Sequence, residues 1–260
     1  MLTSLRAALG HRLAAFLNRA VPGAERCTTN SAIALKRAIR PADVLLVEGH
    51  TWVSTAIRYL TQSTWSHAAL HIGEIPGMRE PDGEPHVLVE AILGRGVVTA
   101  PLSAYAATHC RICRPVALFE ADRAGLVAFA AARIGTGYDL RNVVDLARYL
   151  LPMPPVPARF RRRMISMGSG SPTQAICSTL IAQAFEAVRY PILPDIQELP
   201  AEDDASAHAD YAREVLSIRH HSLYTPRDFD ISPYFQVVKP TIEAGFDYRA
   251  VTWRAALPAL

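Results

Sequence analysis

The residues of this chain best suited to chemistry are one cysteine, one histidine and one glutamate. Cys177 stands in Ala175-Ile176-Cys177-Ser178-Thr179-Leu180, near the start of an alanine-rich helical stretch over 176–188. A thiol attacks a carbonyl as its thiolate, and a helix N-terminus or a neighbouring imidazolium stabilises that negative sulfur. Where the helix begins therefore decides what the thiol can do. Ser171-Pro172-Thr173-Gln174 resembles a capping box with proline at the first helical position. A helix begun there carries Cys177 into its second turn, where the dipole has faded. A helix begun at Cys177 leaves those four residues as a separate turn. A buried, inert cysteine satisfies the same pattern.

His67 follows Trp65-Ser66 and opens a strand-like run, Ala68-Ala69-Leu70-His71-Ile72-Gly73. A base on the first residue of a strand can face a cleft while the strand holds it rigid; a purely structural histidine fits as well. His67 and His71 could share a metal ion on a helix, but on a strand they lie about 13 Å apart at roughly 3.3 Å per residue. Gly73 and Pro76 favour the strand, so no metal site is expected. Glu90 is an acid inside the apolar run Val87-Leu88-Val89-Glu90-Ala91-Ile92. Burying it demands a partner: a histidine N–H that it would orient, or a plain salt bridge.

Other motifs carry less. Cys110-x-x-Cys113 has no second pair, and on a strand its two side chains point to opposite faces. Gly135-Thr136-Gly137-Tyr138 lacks the third glycine of a dinucleotide fingerprint and reads as a helix cap. Arg159-Phe160-Arg161-Arg162-Arg163 could meet anionic groups, though a solvated face is the commoner use of such a run.

Positioning these residues requires strands and helices in a definite order. Strand-like runs cover 43–47, 68–73, 86–93, 96–99 and 110–113, the last stopped by Pro115. Helical spacing covers 51–61, 120–134, 140–150 and 176–188. Residues 76–85 and the prolines of 151–157 read as breaks. Residues 191–209 read as an acidic surface excursion and 224–238 as a closing loop and strand. Strands early and helices later argue for an α+β fold built on an antiparallel sheet packed against helices. Three segments are expected: an N-terminal amphipathic helix within 1–30, a catalytic domain over 31–240 and a tail over 241–260.

Composition sets the outer limits. Half of the 260 residues are hydrophobic and a fifth are charged, enough for a buried core and too apolar for a disordered chain. Net charge is +3, from 27 basic and 24 acidic residues, so no nucleic-acid partner is expected. Cys27, Cys110, Cys113 and Cys177 could pair, but no secretion signal places them in an oxidising compartment. The expected address is cytoplasmic. Leu2, Leu5, Leu9, Leu13 and Phe16 fall at helical spacing; docking on the domain is the expected use, with weak membrane-surface contact as the alternative.

Five segments in order resemble the permuted papain-like amidases, the YaeF/YiiX-type group of the NlpC-type superfamily. They are Arg40-Pro41-Ala42-Asp43-Val44-Leu45-Leu46 (with Ala where Gly is usual), Ser66-His67-Ala68-Ala69-Leu70, Val89-Glu90-Ala91, Gly137-Tyr138-Asp139 and Ile176-Cys177-Ser178-Thr179-Leu180. The resemblance spans about 40–239. It implies a papain-like, circularly permuted core with Cys177 as nucleophile, His67 as its base and Glu90 orienting His67. Tyr138 becomes a candidate for substrate positioning or a second oxyanion donor. The implied activity is cysteine-dependent amide hydrolysis through a thioester, without metal or organic cofactor. The substrate would be a peptide, a peptidoglycan fragment or a lipid-like acyl compound. An acyltransferase of the lecithin:retinol acyltransferase type uses the same residue order, and a non-catalytic binding module is the third reading.

Overall fold

The computed structural model describes residues 12, 14–23, 28, 31–137, 177–198, 214–217, 221 and 224–252. Its elements, in chain order, are α1 (Ala32–Ala38), β1 (Val44–Val47), α2 (Trp52–Thr61), β2 (His67–His71), β3 (His86–Ile92) and β4 (Gly96–Pro101). A 3-10 turn (Leu102–Tyr105), β5 (Cys110–Pro115) and α3 (Glu120–Ala131) follow. Then come α4 (Ser178–Ala187), β6 (Asp195–Glu198), β7 (Glu214–Ser217), α5 (Pro226–Ile231), β8 (Phe235–Val238) and α6 (Pro240–Glu243).

Six strands form one sheet in the order β4-β3-β2-β1-β5-β8, every neighbouring pair antiparallel. β1 lies inside the sheet and all four of its residues are buried, which is why it reads as an unbroken apolar run. The strand period of two divides these residues between two cores. Val44, Leu46, Ala68, Leu70 and Val89 join Leu126, Leu180, Ala184 and Phe185 from α3 and α4. Leu45, Val47, Ala69 and Leu88 join Leu35, Ala38 and Leu102 on the other side. The fold is thus α+β, with an antiparallel sheet packed against helices. Cys113 falls in the first core and Cys110 in the second.

Local sequence explains the caps. Thr51 accepts a hydrogen bond from the Ser54 N–H at the start of α2, and Gln62 takes the left-handed conformation at its end. Glu120 and Asp122 occupy the first turn of α3, where the helix dipole favours acids. Ala42 in Arg40-Pro41-Ala42-Asp43 has φ +73, a conformation open to glycine without steric cost. Asp43 is buried and accepts from the Arg40 N–H (2.8 Å) and from Nε (3.0 Å) and Nη2 (2.8 Å) of Arg114, tying β1 to β5.

Several elements depart from the sequence reading. α3 ends at Ala131, short of Ile134, because 132–135 close as a turn with Gly135 at φ +83. β5 runs on to Pro115, which pairs with Phe235 at the strand's last position. β6 and β7 pair within and just beyond the stretch read as an excursion. A helix, α5, interrupts the closing loop, and α1 was not anticipated from spacing. Near the N-terminus, Ala14 and Leu17 are buried, whereas Phe16 is exposed and stacks on Trp52 at 6.3 Å. Leu2, Leu5, Leu9 and Leu13 lie outside the described residues, as do Cys27, the helix expected at 140–150 and the arginines of 159–163. Among the described residues no helix is long and apolar enough to cross a membrane.

Candidate active site

His67 is the first residue of β2, at one end of the sheet. Its approach is held firmly. The Ser66 N–H bonds to the Val47 carbonyl (3.1 Å), and Ser66 Oγ accepts from the Gly49 N–H (2.9 Å). A Cβ on Gly49 would stand 2.2 Å from Ser54 Oγ and 3.0 Å from Ser66 Oγ, so this close approach needs glycine. Before it, Trp65 donates its indole N–H to Asp230 (3.0 Å), which also takes Arg111 (2.6 Å).

Glu90 lies on the next strand. The register pairs Leu70 with Val89 and His71 with Leu88. Continued along the strands, it sets Glu90 opposite Ala69, with His67 two residues along on the same face. Diagonal neighbours of this kind are within reach of long side chains. Glu90 Oε2 accepts a hydrogen bond from His67 Nε2 and a second from the Tyr105 hydroxyl. The carboxylate is almost fully buried, whereas the His67 side chain keeps 20% of its exposure.

Cys177 is the N-cap of α4, immediately before Ser178. Of the two helix starts that the sequence permitted, the described helix has the later one. Ser178 Oγ donates to the Tyr224 carbonyl (2.7 Å) in a buried contact that fixes the start of α4. The far end is packed by Phe185 against Phe235 (5.1 Å) and Phe229 (6.4 Å). The Cys177 sulfur lies close enough to the His67 ring to favour its charged form. Because Nε2 is engaged by Glu90, Nδ1 is the ring nitrogen left for the sulfur. The positive end of α4 and the His67 ring thus both face Cys177.

The electrostatics follow from this chain of contacts. Burial disfavours the charged imidazole, but the Glu90 carboxylate and the Cys177 sulfur outweigh it and push His67 up to about 10. Burial likewise opposes a charge on Glu90, yet His67 and Tyr105 hold it below the usual carboxylate range. Burial and the adjacent carboxylate raise Tyr105 well above an ordinary phenol, so its hydroxyl keeps its proton and donates. An imidazolium between a carboxylate and a sulfur is the arrangement these directions describe.

The structure therefore brings together His67, Glu90 and Cys177. Tyr138 lies outside the described residues. Tyr105 is the residue that sequence reasoning missed: it sits on a short 3-10 turn, where neither helical nor strand spacing marks it. The other cysteines differ in setting: Cys110 is pushed up to about 11 and Cys113 higher still, both by burial. His71, at the far end of β2, is lowered to about 4 by burial and held neutral. With both histidines on one strand, the helical metal pairing does not arise. Among the described residues no group of three or more His, Cys, Asp or Glu side chains is placed to hold a metal ion.

No protein-family model matches this chain, and no curated protein matches it. Among solved structures it is similar to the metalloprotein yiiX from Escherichia coli O157:H7. The two share 15% sequence identity at a TM-score of 0.44, over 77% of this chain and 96% of that one. A likeness that slight assigns neither fold detail nor chemistry.

Proposed function

We propose that this chain is a cysteine-dependent hydrolase of amide bonds on a papain-like, circularly permuted core. One observation carries the reading: a cysteine at a helix N-cap lies beside a histidine whose Nε2 is held by a buried carboxylate. The order along the chain, His67, Glu90, Cys177, is immaterial, since a triad is defined by geometry and roles. Cys177 is the nucleophile, His67 its acid–base partner and Glu90 the group that orients and charges His67.

The steps follow from these roles. The Cys177 sulfur attacks the substrate carbonyl and a C–S bond forms. The carbonyl oxygen gathers negative charge, and in this reading the Cys177 backbone N–H at the helix start meets it. The C–N bond then breaks, and protonated His67 gives its proton to the departing amine. Water, deprotonated by the now neutral His67, attacks the thioester and releases a carboxylic acid and the thiol. Peptides, peptidoglycan fragments and acylated lipid-like molecules all offer such a carbonyl.

The test is a thiol-directed acyl probe applied to the wild type, Cys177→Ala and His67→Ala. Labelling should concentrate on Cys177 and fall sharply without His67. Equal labelling of Cys27, Cys110 and Cys113 would remove Cys177 from the role of nucleophile. Following the acyl group from the adduct separates the chemistries: release to water is hydrolysis, and capture by an added amine or alcohol in preference to water is acyl transfer.

A further inference from the structure

We infer that Tyr105 is a positioning residue of this site, a fourth member that sets both the charge state and the direction of Glu90. The inference rests on the reading of Cys177, His67 and Glu90 given above. The Tyr105 hydroxyl donates to Glu90 Oε2, the same oxygen that receives His67 Nε2. Two donors converging on one oxygen fix where that oxygen lies. The direction of the His67 ring, and so of its Nδ1 toward Cys177, follows from it. The two rings lie 6.2 Å apart between centroids, tilted by 33°.

The hydroxyl does nothing else among the described residues that holds the fold. The backbone of its turn is fixed by other bonds. Ser103 N–H donates to Glu84 (3.1 Å), Ala106 N–H to the Ser103 carbonyl (3.0 Å) and Thr108 N–H to the Tyr105 carbonyl (3.0 Å). The Cys110 thiol donates to the Thr108 carbonyl at 2.9 Å. Leu102 and the Tyr105 ring pack on the core that contains Leu88 and Ala100. Removing only the oxygen leaves all of this in place and takes one donor from a buried carboxylate. A carboxylate that loses a donor holds its proton more tightly, because hydrogen bonds to the charged form are what favour that form. Glu90 is then both easier to neutralise and freer to turn.

The experiment compares the wild type with Tyr105→Phe, with Glu90→Gln and His67→Ala as references. Three quantities are read: the Glu90 titration from its carboxyl carbon resonance, the iodoacetamide alkylation rate of Cys177 at pH 7, and thermal unfolding. In Tyr105→Phe the Glu90 midpoint should rise by about one pH unit. Alkylation of Cys177 should slow roughly tenfold, equivalent to about 1.4 kcal/mol, with cooperative unfolding retained. Incorporation of 3-fluorotyrosine in place of Tyr105 supplies a variant of nearly unchanged shape and a stronger donor. It should move the Glu90 midpoint down, a result that a packing role for the ring does not produce. An unmoved Glu90 midpoint in both variants overturns the inference, whatever Cys177 does. If His67→Ala slows Cys177 while Tyr105→Phe matches the wild type, Tyr105 has no positioning role and the nucleophile reading stands. If His67→Ala leaves Cys177 unchanged, the nucleophile reading itself falls, and the role assigned to Tyr105 falls with it.

Discussion

Replacing Glu90 by glutamine tests the charge relation at the centre of the site. The side chain keeps its shape and an acceptor oxygen for Tyr105 but loses its negative charge. His67 lies at about 10, against an ordinary 6.5. Burial of the ring works downward. Glu90 leads the groups that work upward, by charge and by hydrogen bond, and the Cys177 sulfur supplies the rest. Without the carboxylate, the His67 midpoint should fall by about 2 units, or about 3 kcal/mol at 1.36 kcal/mol per unit. The sign for stability follows from linkage. A group raised in the folded state contributes fully below its unfolded value of 6.5, and the contribution is lost as pH rises through about 10. The deficit of Glu90→Gln against the wild type should therefore be large near pH 6 and nearly closed at pH 10. Ring-nitrogen NMR titration of His67 measures the shift, and thermal unfolding at the two pH values measures the deficit. An unmoved His67 midpoint, or a deficit that grows toward pH 10, would refute this account of the site.

Two further predictions concern the frame. Asp43→Asn should cost about 3 kcal/mol in urea unfolding, because it leaves the Arg114 guanidinium half-buried without its bidentate carboxylate. A loss under about 1 kcal/mol would mean that the pair is dispensable. Gly96 has φ +78, and a Cβ there would meet the Thr136 carbonyl oxygen at 2.3 Å. Gly96→Ala should therefore also disturb the bonds from Val97 N–H to Thr136 O and from Gly135 N–H to Val97 O, both 2.9 Å. A total of about 3 kcal/mol is expected, from the strained φ and two weakened hydrogen bonds. Gly83→Ala is the control: its φ is +89 but the space around it is open, so only the strain of about 1 kcal/mol remains. Equal losses at the two glycines would contradict the reasoning.

Much of the frame was legible because burial writes itself into spacing. Leu45 and Val47 alternate with Val44 and Leu46 into two cores, and the apolar runs around His67 and Glu90 follow the same logic. Glu90 stood out because an acid in such a run needs a partner, and His67 because it opens a strand. Tyr105 was not legible. Its turn carries no periodicity, and its only mark is a contact with a residue fifteen positions back. α1 was hidden for a related reason: its seven residues bury little beyond Leu35 and Ala38, too few to set a helical pattern. β6 and β7 were obscured by the acidic, proline-containing composition around them. The start of α4 was undecidable from residues because 171–174 and Cys177 both make acceptable helix beginnings.

The same strand pair separates what holds the fold from what forms the candidate site. At one end of β1, Val44 pairs with Leu70, beside Asp43 and its arginines; at the other, Val47 pairs with His67. A slip of one residue in this register would turn His67 to the opposite face and away from Glu90. The His71 N–H bonds to the Asp43 carbonyl at 2.9 Å and so pins this register at the far end of β2, while the Asp43–Arg114 clamp ties the same end of β1 to β5. The left-handed Ala42 lies at that end too, where the chain enters β1 and the Ala42 N–H bonds to the His71 carbonyl at 2.8 Å. Strain of about 1 kcal/mol is tolerable there because the surrounding bonds over-determine the turn. The other end holds His67 partly open to solvent, beside a thiol at a helix start. Rigidity at the first end helps a histidine at the end of an internal strand keep a fixed direction at the second.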